Sequence, residues 1–294
     1  MPAADLLSAL ALTPGVLLRP AEPLAAHTPL RVGGPCEVWV EAADQTALRE
    51  VMKALRKARL SYKVHWPFED WLVRDGGLSG VVLRLGLGFD WLRRAEEAVV
   101  LGSATPFAAL GALGDAAPWP ALSTWAGTPG GLFARGREVA LSGWVTRLRW
   151  LTGRGVEERQ IAQNEEPGSL PDSGVLLEIE LRPPPPRRGR RTPPPPAGAA
   201  LADPEHPRDF SRLAGLLTRS ELPGSRLRAW RWAESAPGVL VHRGGGTTAD
   251  ALIFIQAAKD RVERARGVDV DLTLPLLGHD RPPVRKPHVP DPSP

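Results

Sequence analysis

Between residues 62 and 86 the chain runs strand, tight loop, apolar run, double glycine and strand, an order that leaves few folds open. Tyr62-Lys63-Val64 reads as a strand end, and Leu72-Val73-Arg74-Asp75-Gly76-Gly77 as an apolar run closed by a turn. Val81-Val82-Leu83-Arg84-Leu85 reads as a further strand. The loop Trp66-Pro67-Phe68-Glu69-Asp70 stands where a phosphate-cradling loop would stand. Such a loop needs residues without side chains, so that backbone N–H groups approach the oxygens. This one carries two carboxylates, a proline without an N–H and bulky rings. The setting predicts a nucleotide site, and the contents of the loop oppose one.

The flanking segments extend the pattern. Residues 1–26 are expected to form a poorly ordered leader, with a short helix open to residues 3–12. Leu30, Val32, Val38 and Val40 flank Gly33-Gly34-Pro35 as strand, turn and strand. Asp44 is placed to cap a helix on which Leu48, Val51, Met52 and Leu55 share a face. Strands are expected at 98–101, 143–151 and 174–181, a helix at 104–116 and a turn at 126–131. Prolines on either side of Arg187, Arg188, Arg190 and Arg191 make 183–196 an extended connector. Beyond it the pattern predicts a helix at 208–219 and strands near 226–232 and 238–242. A helix over 248–266 follows, opened by a Thr247/Asp250 capping box and ended at Gly267, and then a strand to residue 277. The proline-rich tail, 279–294, is expected to be disordered.

Composition narrows the partners. A net charge of +4, with arginine spread along the chain, gives no nucleic-acid footprint. The single cysteine, Cys36, excludes an internal disulfide and fits a reducing compartment. No apolar run reaches the ~18 residues of a membrane span, and the N-terminus lacks the basic start of a signal peptide. The expected location is the cytoplasm, with no membrane or nucleic-acid partner.

Taken together, the segments resemble the bacterial UDP-N-acetylenolpyruvoylglucosamine reductases (UDP-N-acetylmuramate dehydrogenases), a family that uses FAD and NADPH to make UDP-N-acetylmuramate for peptidoglycan. Thr28-Pro29-Leu30-Arg31-Val32-Gly33-Gly34-Pro35 and the long string from Leu72 to Gly86 carry the resemblance. Ala126-Gly127-Thr128-Pro129-Gly130 and Arg243-Gly244-Gly245-Gly246-Thr247-Thr248-Ala249-Asp250 add to it. It covers about 27–278. The implied fold is α+β: a two-part FAD-binding-type (PCMH-like) domain over 27–182, divided near residue 90, then a smaller α/β substrate-type domain over 197–278.

The resemblance also says where chemistry should sit. The FAD pyrophosphate loop falls on Trp66–Asp70. Gly127, Pro129, Gly130 and Gly131 would line the flavin if flavin were retained, although several family residues are missing after Gly130. The family's proton-donating serine falls on Ala199, which has no exchangeable proton. Its C-terminal glutamate falls on Thr273, and Asp271 is displaced about 6–7 Å along the strand. Its Tyr-Arg string has no counterpart in 165–174, and its His-Ala-Asn-Phe string falls on Ala236-Pro237-Gly238-Val239.

The expectation is a family member without FAD, NADPH or catalysis, acting as a structural or regulatory homologue; the alternative is an active, strongly diverged reductase. Cell-wall precursor enzymes or a UDP-sugar are the implied partners. His65 with Glu69 and Asp70 is too weak a pattern for a metal site, and no metal is expected. Glu69 and Asp70 read as a solvated pair. Trp66 and Phe68 are the preferred fillers of a vacated cleft, with Trp71, Trp119, Trp125, Trp230 and Trp232 as further candidates.

Overall fold

A computed structural model describes residues 2–114, 119–136, 138–162, 165–171, 174–183, 200–203 and 210–280. The N-terminal stretch is not a loose leader. Helix α1 (Pro2–Leu10) buries Leu6 and Leu10, which lie one turn apart and so share a face. Strand β1 (Val16–Pro20) pairs antiparallel with β2 (Cys36–Ala42). Helix α2 (Gln45–Ala58) follows, with the Asp44 carboxylate accepting from the Ala47 N–H at 2.9 Å and Leu48, Val51, Met52 and Leu55 buried. Strands β3 (Tyr62–His65), β4 (Leu72–Val73) and β5 (Leu78–Leu85) come next. The first sheet has the order β1-β2-β5-β3, with β5 parallel to both neighbours.

The second sheet is antiparallel and takes up β6 (Leu92–Ala95) and β7 (Ala98–Gly102). The helix expected over 104–116 is a 3-10 segment, Phe107–Leu113, with a glycine inside it and another at its end. Two short helices follow: α3 (Trp119–Ser123), and α4 (Pro129–Ala134) where only a turn was expected. Strands β8 (Val145–Thr152), β9 (Gly155–Gln160) and β10 (Val175–Leu181) complete the order β6-β7-β10-β8-β9. Central β10 is buried on both faces, and its Glu178 is held by Arg147 at 3.1 Å and Arg149 at 3.0 Å.

The last block holds β11 (Leu201–Ala202), α5 (Phe210–Arg219), β12 (Arg226–Leu227), β13 (Trp230–Trp232) and β14 (Leu240–His242). The single strand expected near 226–232 is a hairpin, turned at Arg228 with φ 51°. Helix α6 (Thr248–Arg266) has both halves of the capping box and ends on left-handed Gly267. Strand β15 (Asp271–Leu272) pairs with β11, and β16 (Leu276–Leu277) returns to pair parallel with β4. His279 N–H donates to Gly77 O at 3.0 Å and Asp280 pairs with Arg74, so the expected tail begins as a held segment. Residues 184–199, most of the connector, lie outside the described residues.

Among the described residues, three apolar clusters hold the chain together. The largest runs from Leu6 to Leu181 and spans both sheets, with Trp66 inside it. A second fills the C-terminal block and takes in Leu30, Val32 and Leu72; a small third centres on Cys36, Trp39 and Trp71. The double glycine after Asp75 serves this packing: a Cβ on Gly77 would stand 2.1 Å from Pro35 O.

Asp75 fastens the C-terminal block to the rest. Its two carboxylate oxygens accept from the Thr248 and Ala249 N–H groups at 2.9 and 3.1 Å, at the first turn of α6. Asp75→Ala strips both bonds and is expected to cost about 1–3 kcal/mol, the range for losing hydrogen bonds to a charged group. Urea denaturation reads it, and Asp75→Asn should recover part of the loss.

Candidate functional site

The loop from Trp66 to Trp71 is latched by its own glutamate. The Trp66 N–H donates to Glu69 Oε2 at 3.0 Å, Glu69 N–H to Trp66 O at 3.2 Å, and Trp71 N–H to Glu69 O at 3.0 Å. The Trp71 side chain also favours the charged form of the Glu69 carboxyl. Neither Glu69 nor Asp70 is solvated: they are 6% and 2% exposed. Burial pushes the Glu69 carboxyl up to about 7, against the bond from Trp66, the Trp71 side chain and the charge of Arg135. Phe68 takes a left-handed backbone, φ 63°, at a position where the resemblance places a glycine. Its side chain is 57% exposed, so Phe68 does not fill the cleft.

Trp66 does. Its indole lies against Gly130, where a Cβ would meet ring carbons at 2.3 Å. The Gly130 and Gly131 amides that would face a flavin here are engaged. Gly130 N–H donates to Ser103 O at 2.9 Å, and Gly131 N–H to the capping Thr128 hydroxyl at 3.1 Å. Pro129 has no N–H, and Gly127 gives its carbonyl to Phe107 N–H at 3.0 Å.

These residues do not fit FAD. A pyrophosphate needs convergent N–H donors, and the donors of α4 are spent. The opposing loop presents the buried Glu69 carboxyl and a plugging indole. What remains is a cavity of about 620 Å³ between the β3 edge, the 66–71 loop, α4 and Ser169, Leu170, Pro171 and Gly174. Tyr62, Trp66, Trp71 and Phe133 supply aromatic wall, and Glu69 the buried carboxyl.

Of the two positions expected to carry the family's catalytic side chains, Thr273 directly follows β15, which pairs with β11. Ala199 lies outside the described residues, but Ala200 O accepts from Thr273 N–H at 2.9 Å. Thr273 brings a hydroxyl to that corner and no carboxyl. Asp271 does not replace it; its carboxylate is 58% exposed and lies 3.6 Å from Lys259 Nζ. Arg135, which the sequence reading passed over, donates to Thr273 O at 3.3 Å and acts on Glu69. Its place one turn beyond Gly130-Gly131 was the available signal.

His65 is 2% exposed, with both ring nitrogens lacking a hydrogen-bond partner, packed edge-on to Trp71 at 4.8 Å. Burial pushes its pKa down to about 3. Among the described residues no cluster of histidine, cysteine, aspartate and glutamate is placed to hold a metal. The Cys36 thiol is pushed up to about 12 by burial and serves the core. Trp119 and Trp125 pack in the first core, and Trp230 and Trp232 in the C-terminal one. No described helix is long and apolar enough to cross a membrane.

Comparison with known proteins gives a consistent pattern. No protein-family model matches the chain. A UDP-N-acetylenolpyruvoylglucosamine reductase of Anaeromyxobacter sp. (strain Fw109-5) is 30% identical over 293 residues, covering 90% of this chain and 89% of the relative. One of Bacillus pumilus is 24% identical, covering 88% and 93%. The solved structure of the enzyme of that name (MurB) from Thermus caldophilus superposes with a TM-score of 0.63 at 16% identity, covering 90% of this chain and 99% of that one. That likeness shows the α+β fold expected from the sequence.

Proposed function

The chain belongs to the UDP-N-acetylenolpyruvoylglucosamine reductase family, and we propose that within it the chain keeps the fold while neither holding flavin nor reducing substrate. One observation carries the reading: the Trp66 indole rests on Gly130 while the Gly130 and Gly131 amides are bonded within the protein. A flavin would have to displace a buried tryptophan, break those bonds and bring a dianion up to Glu69 and Asp70. Ala199 and Thr273 add the loss of a proton donor and of a carboxyl at the reacting corner.

The role that follows is structural or regulatory, in the synthesis of peptidoglycan precursors, with precursor enzymes or a UDP-sugar as partners. The cytoplasm is the matching location.

The test is direct. Protein purified without added cofactor should lack the visible absorbance of flavin, and titrated FAD should keep its free fluorescence. With FAD and NADPH supplied, UDP-N-acetylenolpyruvoylglucosamine should not be reduced. Stoichiometric flavin with turnover would establish the active alternative instead.

A further inference from the structure

The cavity beside the latched loop combines features that point to a definite ligand chemistry. We propose that it binds a small organic ammonium ion, held by the Glu69 carboxylate against the aromatic side chains of Tyr62, Trp66, Trp71 and Phe133. The proposal deepens the flavin-free reading of the same cleft and rests on it.

A carboxylate that is 6% exposed has lost most of its hydration and gains strongly from a cation. The protein supplies little of one. Arg135, the cation acting on Glu69, gives its guanidinium to Thr273 O, and Lys63 on β3 is an exposed residue of the wall. Aromatic faces attract an ammonium through their quadrupoles, most strongly where water is excluded. Val64, Leu170, Pro171 and Leu277 add apolar wall beside the polar Ser61, Lys63 and Ser169, and this mixed lining with few carboxylates suits alkylated nitrogen better than a hydrated metal ion. The cavity, about 620 Å³, is within the range of small-molecule sites.

Calorimetric titration of the full chain tests this with four probes: choline, n-butylammonium, butyrate and the uncharged carbon isostere of choline. The two cations are expected to bind at least about tenfold more tightly than the isostere or butyrate, a difference typical of one desolvated cation–carboxylate or cation–aromatic contact. Whichever cation binds more tightly identifies the head group, and both orders support the proposal. Choline affinity should rise between about pH 6 and pH 8 as Glu69 ionises, with Asp70, Arg135, Lys63 and Tyr62 as the other titratable neighbours. Glu69→Gln should weaken choline at least about tenfold. Phe133→Leu, a second variant that leaves the latch intact, should weaken choline several-fold and spare the isostere. Equal binding of choline and its isostere, or undiminished binding by folded Glu69→Gln, overturns the proposal. Protein that takes neither flavin nor choline refutes this inference and leaves the flavin-free reading standing; protein that takes flavin refutes both.

Discussion

Trp66→Ala is expected to lower the free energy of unfolding by about 3–5 kcal/mol, the range for deleting a buried large aromatic side chain. Trp66 is 3% exposed and belongs to the largest core, so its removal opens a hole between the 66–71 loop and α4. A second substitution makes the expectation specific to the geometry. Gly130 lies inside α4, where alanine suits the backbone, but its Cβ would meet the indole at 2.3 Å. Gly130→Ala alone should therefore cost about 1–3 kcal/mol through overpacking. In the Trp66→Ala background the ring is gone, and the added methyl group should cost nothing or recover part of the loss. Urea denaturation of the four proteins gives the coupling, expected above about 1 kcal/mol. Additive costs would mean that the indole does not sit on Gly130.

Much of the frame was legible because it depends on local chemistry. Asp44, Thr247, Asp250 and Gly267 mark helix ends by patterns that need only neighbouring residues, and the structure uses each in that way. The fold class was legible through the resemblance. The errors arose where distant parts of the chain decide. Leu6, Leu10 and Leu24 looked like a leader because their partners are far along the sequence, and β16 beside β4 joins segments about 200 residues apart. At the site, the proline and paired carboxyls of the loop were plain in Pro67, Glu69 and Asp70, whereas the roles of its side chains were not. Phe68 and Trp66 are both bulky; only the folded loop sends one to solvent and the other onto Gly130. Adjacent carboxyls usually mark a solvated loop, and here the Trp66 N–H makes the burial of Glu69 tolerable.

Burial of Glu69 and His65 on neighbouring turns of chain should give the protein a stability plateau in mild acid. Glu69 has a native pKa of about 7 against an ordinary 4.5, so the native state holds its proton more tightly. That stabilisation is complete below about pH 4.5 and is lost as pH rises through 7, about 3 kcal/mol in all. His65 has the opposite sign: its native pKa of about 3 lies below the ordinary 6.5. Its neutral form costs nothing above about pH 6.5, and stability falls as pH drops from there towards 3, by about 5 kcal/mol in all. Between about pH 4.5 and 6.5 the two slopes, each about 1.4 kcal/mol per pH unit, cancel. Removing either group should expose the other. His65→Leu, which also deletes two unpartnered ring nitrogens, should turn the plateau into a decline with rising pH. Glu69→Gln should turn it into a rise and abolish the loss near pH 7. The remaining carboxylates titrate alike in all three proteins, so the differences between their denaturation curves across pH isolate these two side chains. A difference curve that stays flat for His65→Leu would show that the ring is hydrated and charged in the native state, and the buried pairing of histidine and glutamate around Trp71 would have to be abandoned.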